Sequence, residues 1–332
     1  MDAFYPLRRL AAGMLACAAL APAATLAAAD DAARFPERPV RIIVPFSAGG
    51  VVDSVTRITA ENMARVLKQA VIVENKTGAG GAIGADVVAR SPADGYTLLA
   101  VSPSYVVGPL LNPSIQGKSG KDFRAVAGIG AVPNVIVVPA ASPLRTLPQL
   151  LDTARKQPGT LTYASAGVGT SNHLSAELLA QMTHVKLTHV PYKGQPEAMS
   201  DLLGARVSMM ALTSAIARQQ VQSGKLRALA VTSARRTAVL PDVPTVAEAA
   251  QLPSYEVGAW FGLVAPHGTP DAVVRKLADA AARATADPAT AHRLAELGME
   301  LAPQAPAAFE RFLDAETKKW TGVLKTAGIT AQ

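Results

Sequence analysis

Residues 40–68 limit what this chain can fold into more than any other stretch. Val40-Arg41-Ile42-Ile43-Val44 is a β-branched run of the kind that lies buried in a parallel sheet. Pro45, Phe46, Ser47, Ala48 and the pair Gly49-Gly50 break it, and Val51-Val52-Asp53 leads into an amphipathic helix over Ser54 to Lys68. Val55, Ile58, Met63, Val66 and Leu67 fall on one face of that helix. Strand, glycine turn and helix leave unpaired backbone N–H groups at a positive helix end, which suits an anion. Alone, the unit fits a phosphate as well as a carboxylate. It also fits a plain connecting turn, because glycine permits tight geometry in many α/β folds.

A second unit of the same design follows in the other half of the chain. Leu161 to Ser165 reads as a strand, Ala166-Gly167-Val168-Gly169-Thr170-Ser171 as the turn, and Asn172 to Met182 as a helix with Leu174, Leu178 and Met182 on one face. Between and after the two units, strands and helices alternate over short loops, the pattern of a parallel sheet covered on both faces. The fold class is therefore α/β, in two lobes, each a mostly parallel sheet flanked by helices, with a cleft between them. Crossing strands are expected around Asn134 to Pro139 and Glu256 to Pro266. The first lobe takes residues 30–135 and 257–332 and the second 136–256. Facing each other, the two turns could grip a carboxylate from both sides.

The first 29 residues stand apart. Arg8 and Arg9 precede an apolar run over Leu10 to Ala24, and Ala27-Ala28-Ala29 offers a small-residue cleavage site, the pattern of an export signal. The run is Ala-rich and holds Pro22, unlike a membrane anchor of about 20 strongly apolar residues. Met14-Leu15-Ala16-Cys17 is a poor lipoprotein box, with Met and Leu at its first two places. Cys17 is the only cysteine of the 332 residues, so the exported chain would have no disulfide or thiol chemistry. A periplasmic location and a monomer are expected. Losing Asp2, Arg8 and Arg9 lowers the formal charge from +7 to +6, scattered without a basic run, which does not suggest a nucleic-acid partner.

Motifs for catalysis and cofactors fail one after another. Phe46-Ser47-Ala48-Gly49-Gly50 has Pro45 where a nucleophile elbow needs glycine. Gly78-Ala79-Gly80-Gly81-Ala82-Ile83-Gly84 misses the dinucleotide fingerprint by one residue, and no turn carries the Gly-Lys-Ser/Thr of a P-loop. The five histidines form no metal-ligand spacing. Ser165 and His173 could be a nucleophile and its base, but no third group accompanies them and a polar loop with a helix-packing histidine accounts for both. No catalysis, cofactor or metal is expected. Asp53 can cap the first helical turn and pair with Arg57, or orient a ligand. Tyr192 and Lys193, in another strand-to-helix turn, face either the cleft or the surface. Ser102, Ser104, Thr213 and Ser214 follow strands and are weaker candidates. Gly78 to Gly81 reads as packing, and Trp260 as crossing-strand core.

Several segments, in order, resemble one family. They are Pro45 to Asp53, Val73-Glu74-Asn75-Lys76-Thr77-Gly78-Ala79-Gly80-Gly81, Ala93 to Leu99, Tyr163 to His173, Val190-Pro191-Tyr192-Lys193-Gly194, Leu229 to Thr232 and Leu240 to Glu248. Together they are similar to the Bug/TctC family of periplasmic solute receptors associated with tripartite tricarboxylate transporters, over about Phe35 to Ile329. The resemblance implies a type II periplasmic-binding-protein fold that closes on a small organic acid. It implies contacts from Phe46, Ser47, Ala48, Gly49, Gly50 and Asp53 in one lobe, to which the strand-end position adds Ser102 as a candidate. In the other lobe it implies Ser165, Gly167, Gly169 and Thr170, with His173 close behind, and the next strand-to-helix turn adds Tyr192 as a candidate. It implies membrane transporter subunits as partners, a sensor kinase being the alternative. Two segments depart from the family: Gly204-Ala205-Arg206-Val207-Ser208 lacks its usual acidic residue, and Tyr105-Val106-Val107 is apolar where members are often polar. Both leave room for an aromatic or less polar acid.

Overall fold

The computed structural model describes residues 34–111 and 122–327. The export signal with Cys17 lies outside the described residues, and so does all but Asp122 of the stretch Asn112 to Asp122, which reads as a surface loop in the sequence.

Strand β1 (Val40–Val44) pairs in parallel with β2 (Val71–Asn75) and β3 (Thr97–Val101). In the other half β5 (Thr162–Ser165) pairs in parallel with β6 (Thr188–Pro191) and β7 (Met209–Thr213). These are the two parallel blocks that the alternation of strands and helices predicts. Antiparallel strands edge both. The 17-residue β4 (Phe123–Pro139) pairs along its first part with β9 (Gly258–Pro266) and β10 (Glu300–Gln304). Along its last part it pairs with β7 and β8 (Leu226–Val231). Strand β4 thus serves both sheets, the change falling between Pro133 and Asn134.

The chain returns to the first sheet at Val257–Gly258, and Thr232 ties the two crossings together. Its backbone N–H donates to Asn134 O (2.8 Å), its hydroxyl donates to Val257 O (2.6 Å), and its carbonyl accepts from Val257 N (3.0 Å). Asn134 and Thr232 are fully buried, so these bonds are shielded from water and fix one geometry, while Asn134 Oδ1 is left without a partner among the described residues.

Helix α1 (Val51–Leu67) lays Val55, Ile58 and Met63 against Val273, Val274 and Leu277 of a C-terminal helix. Helix α2 (Ala82–Ala89) leads to β3, and α3 (Ser104–Leu111), not foreseen in the sequence, begins two residues after that strand. Helix α4 (Leu147–Lys156) precedes β5, and α5 (Ser171–Thr183), α6 (Gln195–Leu203) and α7 (Ser214–Gln222) follow β5, β6 and β7. Helix α8 (Val246–Ala250) opens on a Thr245–Glu248 capping box. Then come α9 (Asp271–Ala286), α10 (Pro288–Glu296) and α11 (Pro306–Ala327). One apolar cluster runs from Leu174 and Leu179 through Trp260 to Phe309 and Trp320, so both halves share core. Trp260 is buried there, as expected, and donates its Nε1–H to Glu316 (2.9 Å).

Candidate functional site

The carboxyl ends of the parallel strands in both sheets point into one cleft, where open α/β sheets bind ligands. Its inner part is a cavity of about 30 Å³ between the two turns, lined by Phe46, Ser47, Gly50, Val51 and Val52 from one side and Ala166, Thr170, Ser171, Asn172, Gly194 and Gln195 from the other. Ser102, Pro103, Ala259 and Phe261 close the floor. That is room for roughly two or three water-sized groups, the scale of a carboxylate. None of these described residues carries a charge.

Three helices start at this cavity. Gly50 precedes α1, Thr170 precedes α5 and Gly194 precedes α6, and no side chain caps any of the three. The hydroxyl of Thr170 instead donates to Gly167 O (2.7 Å). First-turn N–H groups have no partner within their own helix, so three positive helix ends converge on one small volume. Polar side chains beside them are held by their own bonds. Asn172 donates to Ala211 O (2.6 Å), and Gln195 Oε1 accepts from Thr213 (3.2 Å).

Asp53 lines no part of the cleft. Its carboxylate accepts from Gly49 N (3.0 Å), Arg57 Nε (3.0 Å) and Asn75 Nδ2 (2.9 Å), and Asn75 also donates to Phe46 O (2.9 Å). Burial alone would raise its pKa, but the bonds from Arg57, Gly49 and Asn75, with the guanidinium charge, outweigh that and hold it below the usual carboxylate value. Asp53 therefore shapes the turn. Gly49 stands at φ +78°, a conformation that glycine adopts without strain.

Outside the inner cavity the cleft widens to about 830 Å³. Its walls include Pro45, Phe46, Leu111, Val168 and Tyr192, with the backbone of Gly78 to Gly81 opposite Gly167. His173 and His189 also reach it, their ring centroids 4.3 Å apart, and His189 stacks on Tyr163 at 4.8 Å. The parallel register places Tyr163 beside His189. Burial, and for His173 also its neighbour His189, pushes the two imidazoles down to about 3 and about 4, so both are neutral at ordinary pH. His173 Nδ1 accepts from Gly169 N (3.2 Å). His189 Nε2 shares a 2.6 Å bond with Ser165 Oγ, so the partner of this serine is His189 and not His173. Tyr163 donates to Glu177, and burial, with Glu177 beside it, raises its pKa.

The two sides touch. Ser47 donates to Glu197 Oε1 across the cleft (2.7 Å), and a Cβ at Gly80 would lie 2.9 Å from Val168 O. The turn Gly78 to Gly81, read from the sequence as packing, is thus also a cleft wall. Tyr105, Val106 and Val107 belong elsewhere: Tyr105 packs on Phe123 and the valines are buried core, leaving Gly108 and Leu111 as the cleft residues of α3. Arg206 reaches the cleft indirectly. It pairs with Asp201 (2.9 Å), which accepts from the Tyr192 hydroxyl (2.6 Å), and burial together with Asp201 pushes that phenol up to about 12.

A family model described as "Tripartite tricarboxylate transporter family receptor" matches residues 55–329. The chain belongs to this family. Among curated relatives of this receptor, "UPF0065 protein in tcbD-tcbE intergenic region" of Pseudomonas sp. (strain P51) is 43% identical over 94% of this chain and 92% of that one. The solved structure of periplasmic binding protein BugD is 37% identical, with a TM-score of 0.85 over 90% of this chain and all of that one. Rpa4515 of R. palustris with adipate is 34% identical (TM-score 0.85, 90% and 100% covered), and MatC from Rhodopseudomonas palustris with bound malate is 33% identical (0.83, 87% and 100%). The fold is that of periplasmic binding proteins.

Of the ligand-binding residues expected from the sequence, Phe46, Ser47, Gly50, Ser102 and Thr170 line the inner cavity, and Phe46, Gly167, His173 and Tyr192 the wider part. Ala48, Gly49, Asp53, Ser165 and Gly169 line neither. The sequence reading missed Gln195, Asn172, His189 and Glu197. Gln195 and Glu197 lie just past the Tyr192-Lys193-Gly194 turn, whose strand-to-helix position was the available signal. Among the described residues there is no helix long and apolar enough to cross a membrane and no cluster of three or more potential metal ligands.

Proposed function

We propose that this receptor captures a small organic acid, the carboxylate seated in the inner cavity between residues 30–135 with 257–332 on one side and 136–256 on the other. The observation that carries the reading is the convergence of three uncapped helix starts on a cavity without a basic side chain. Such a cavity favours a planar anion held by backbone N–H groups. A charge-assisted bond contributes about 1.5–3 kcal/mol, so four or five reach micromolar affinity after association costs. Asp53 acts through the turn that it holds, and Ser165 through its bond to His189. The malate- and adipate-bound relatives support a carboxylate over a phosphate.

In this proposal the protein works in the periplasm after removal of residues 1–29, as a monomer, and presents its closed form to a tripartite transporter. The test is calorimetry of the purified exported chain with a panel of carboxylates and the neutral amides of the same acids. An acid should bind while its amide does not. Binding of neither, or equal binding of both, would sink the proposal.

A further inference from the structure

The inner cavity holds little more than a carboxylate, so the body of any acid seated there must extend into the wider part of the cleft. Phe46 and Ala166 line both parts, so the two are continuous. The bond between Ser47, which lines only the inner part, and Glu197, which lines only the outer, stands at the junction.

The chemistry of the outer part is specific. Its inner wall is made of rings and apolar groups: Phe46, His173, His189, Tyr192, Leu111 and Val168. The two imidazoles are neutral at ordinary pH and stacked with Tyr163, His173 buried and His189 half-buried. The Tyr192 hydroxyl is turned to Asp201, which leaves its ring for the cleft. Val168 is 41% exposed in this structure, a large apolar side chain without a full covering. Among the described lining residues only Lys193 and Glu197 can carry charge, both are exposed, and Glu197 already accepts from Ser47. A second carboxylate on a short chain would therefore lie against neutral rings, with Lys193 as the one cationic side chain of the described lining, and because Lys193 is exposed to solvent its charge offsets the lost hydration only weakly. A flat apolar ring would bury its faces against stacked rings and the wall of Gly78 to Gly81, whose one side chain is the methyl of Ala79. The volume, about 830 Å³, is ample for it.

We propose that the outer cleft is a tail subsite that selects an acid with an uncharged ring, an aryl or arylalkyl monocarboxylate, over short dicarboxylates. This rests on the carboxylate-receptor reading above, and the experiment separates the two. Calorimetry is run on the exported chain with propionate, 3-phenylpropionate, 2-naphthylacetate, malate and adipate. The expected result is that 3-phenylpropionate or 2-naphthylacetate binds at least tenfold tighter than propionate, malate and adipate. If acids bind but a ring adds nothing, or malate or adipate is preferred, the tail subsite is refuted and the receptor reading stands. If no acid in the panel binds, both fall.

Val168→Lys, at an exposed position, provides the second arm. A cation there should weaken the ring-bearing acid at least fivefold and narrow or reverse its lead over adipate. An unchanged ratio in the folded variant would also refute the subsite.

Discussion

Gly194 is the place to test whether the two sides of the cleft close on each other during binding. Its φ of −175° is extended backbone that any residue adopts, so alanine there carries no backbone penalty. A Cβ at this position would lie 2.8 Å from Ser47 Cβ, 2.9 Å from Ser47 Oγ and 3.1 Å from Glu197 Oε2. Ordinary contact begins at 3.4 Å. Ser47 would have to withdraw and release its bond to Glu197, or the two sides would have to stand apart. Overpacking costs about 1–3 kcal/mol and a lost hydrogen bond about 1 kcal/mol, so the closed arrangement is disfavoured by roughly 2–4 kcal/mol. With 1.4 kcal/mol to a factor of ten, Gly194→Ala should weaken ligand binding by at least roughly 30-fold and up to roughly 700-fold. Stability without ligand should barely change, because the clash vanishes once the sides separate. Calorimetry gives the affinity and thermal melting the stability. Adding Ser47→Gly, which removes the opposing Cβ, should recover part of the loss, a coupling that a double-mutant cycle reads directly. Gly322→Ala, on α11 with nothing within 4 Å, is the control and should leave affinity alone. Wild-type affinity in a folded Gly194→Ala protein would refute closure through this contact.

Two further expectations concern stability. Asp53→Asn should cost about 1–3 kcal/mol at pH 7, since it removes a buried charge from Arg57, Gly49 and Asn75 while keeping its shape. Because the folded carboxyl lies below its ordinary value of 3.8, its contribution is complete above that pH and is lost as pH falls through the lower folded value. The gap between wild type and Asp53→Asn, measured by denaturant unfolding, should therefore shrink in strong acid; a constant gap would argue against the assignment. His189 falls from 6.5 to about 4 in the folded protein, so stability is full above pH 6.5 and declines toward pH 4 as the unfolded chain takes up the proton. At 1.36 kcal/mol per pH unit the loss from this ring is on the order of 2 kcal/mol by pH 5. His189→Gln should show that much less acid sensitivity, and an unchanged pH profile would contradict a half-buried imidazole kept neutral.

Local signals carried much of the fold and part of the site. The turns at 45–50 and 166–171 were legible because proline and glycine interrupt strong β-branched runs and a helical period resumes at once. Helix α3 was not, because Gly108 and Pro109 sit inside it and read as loop. Helix α10 and strand β10 are nine and five residues long, and β10 contains Pro303, which removes a ladder donor. What joins the two sides of the cleft could not be read at all. Ser47 and Glu197 are 150 residues apart, and nothing local to either names the other. His189 looked like an ordinary strand residue until the β5–β6 register set it on Tyr163 and beside Ser165. The apolar run Tyr105-Val106-Val107 was a misleading clue to the ligand, since helical geometry turns its valines into the core.

Strand β4 has a consequence for how such a receptor can be taken apart. One continuous strand lies between β9 and β10 in the first sheet and between β7 and β8 in the second. A fragment cut at residue 140 would lose the strand that joins β7 to β8, and the remainder would keep a protruding strand end with unpaired edges. Neither piece is a self-sufficient module. Grafting the second half onto the first half of a relative, to exchange ligand preference, would require carrying β4 whole and matching both of its registers. In denaturant the two halves should lose structure in a single transition.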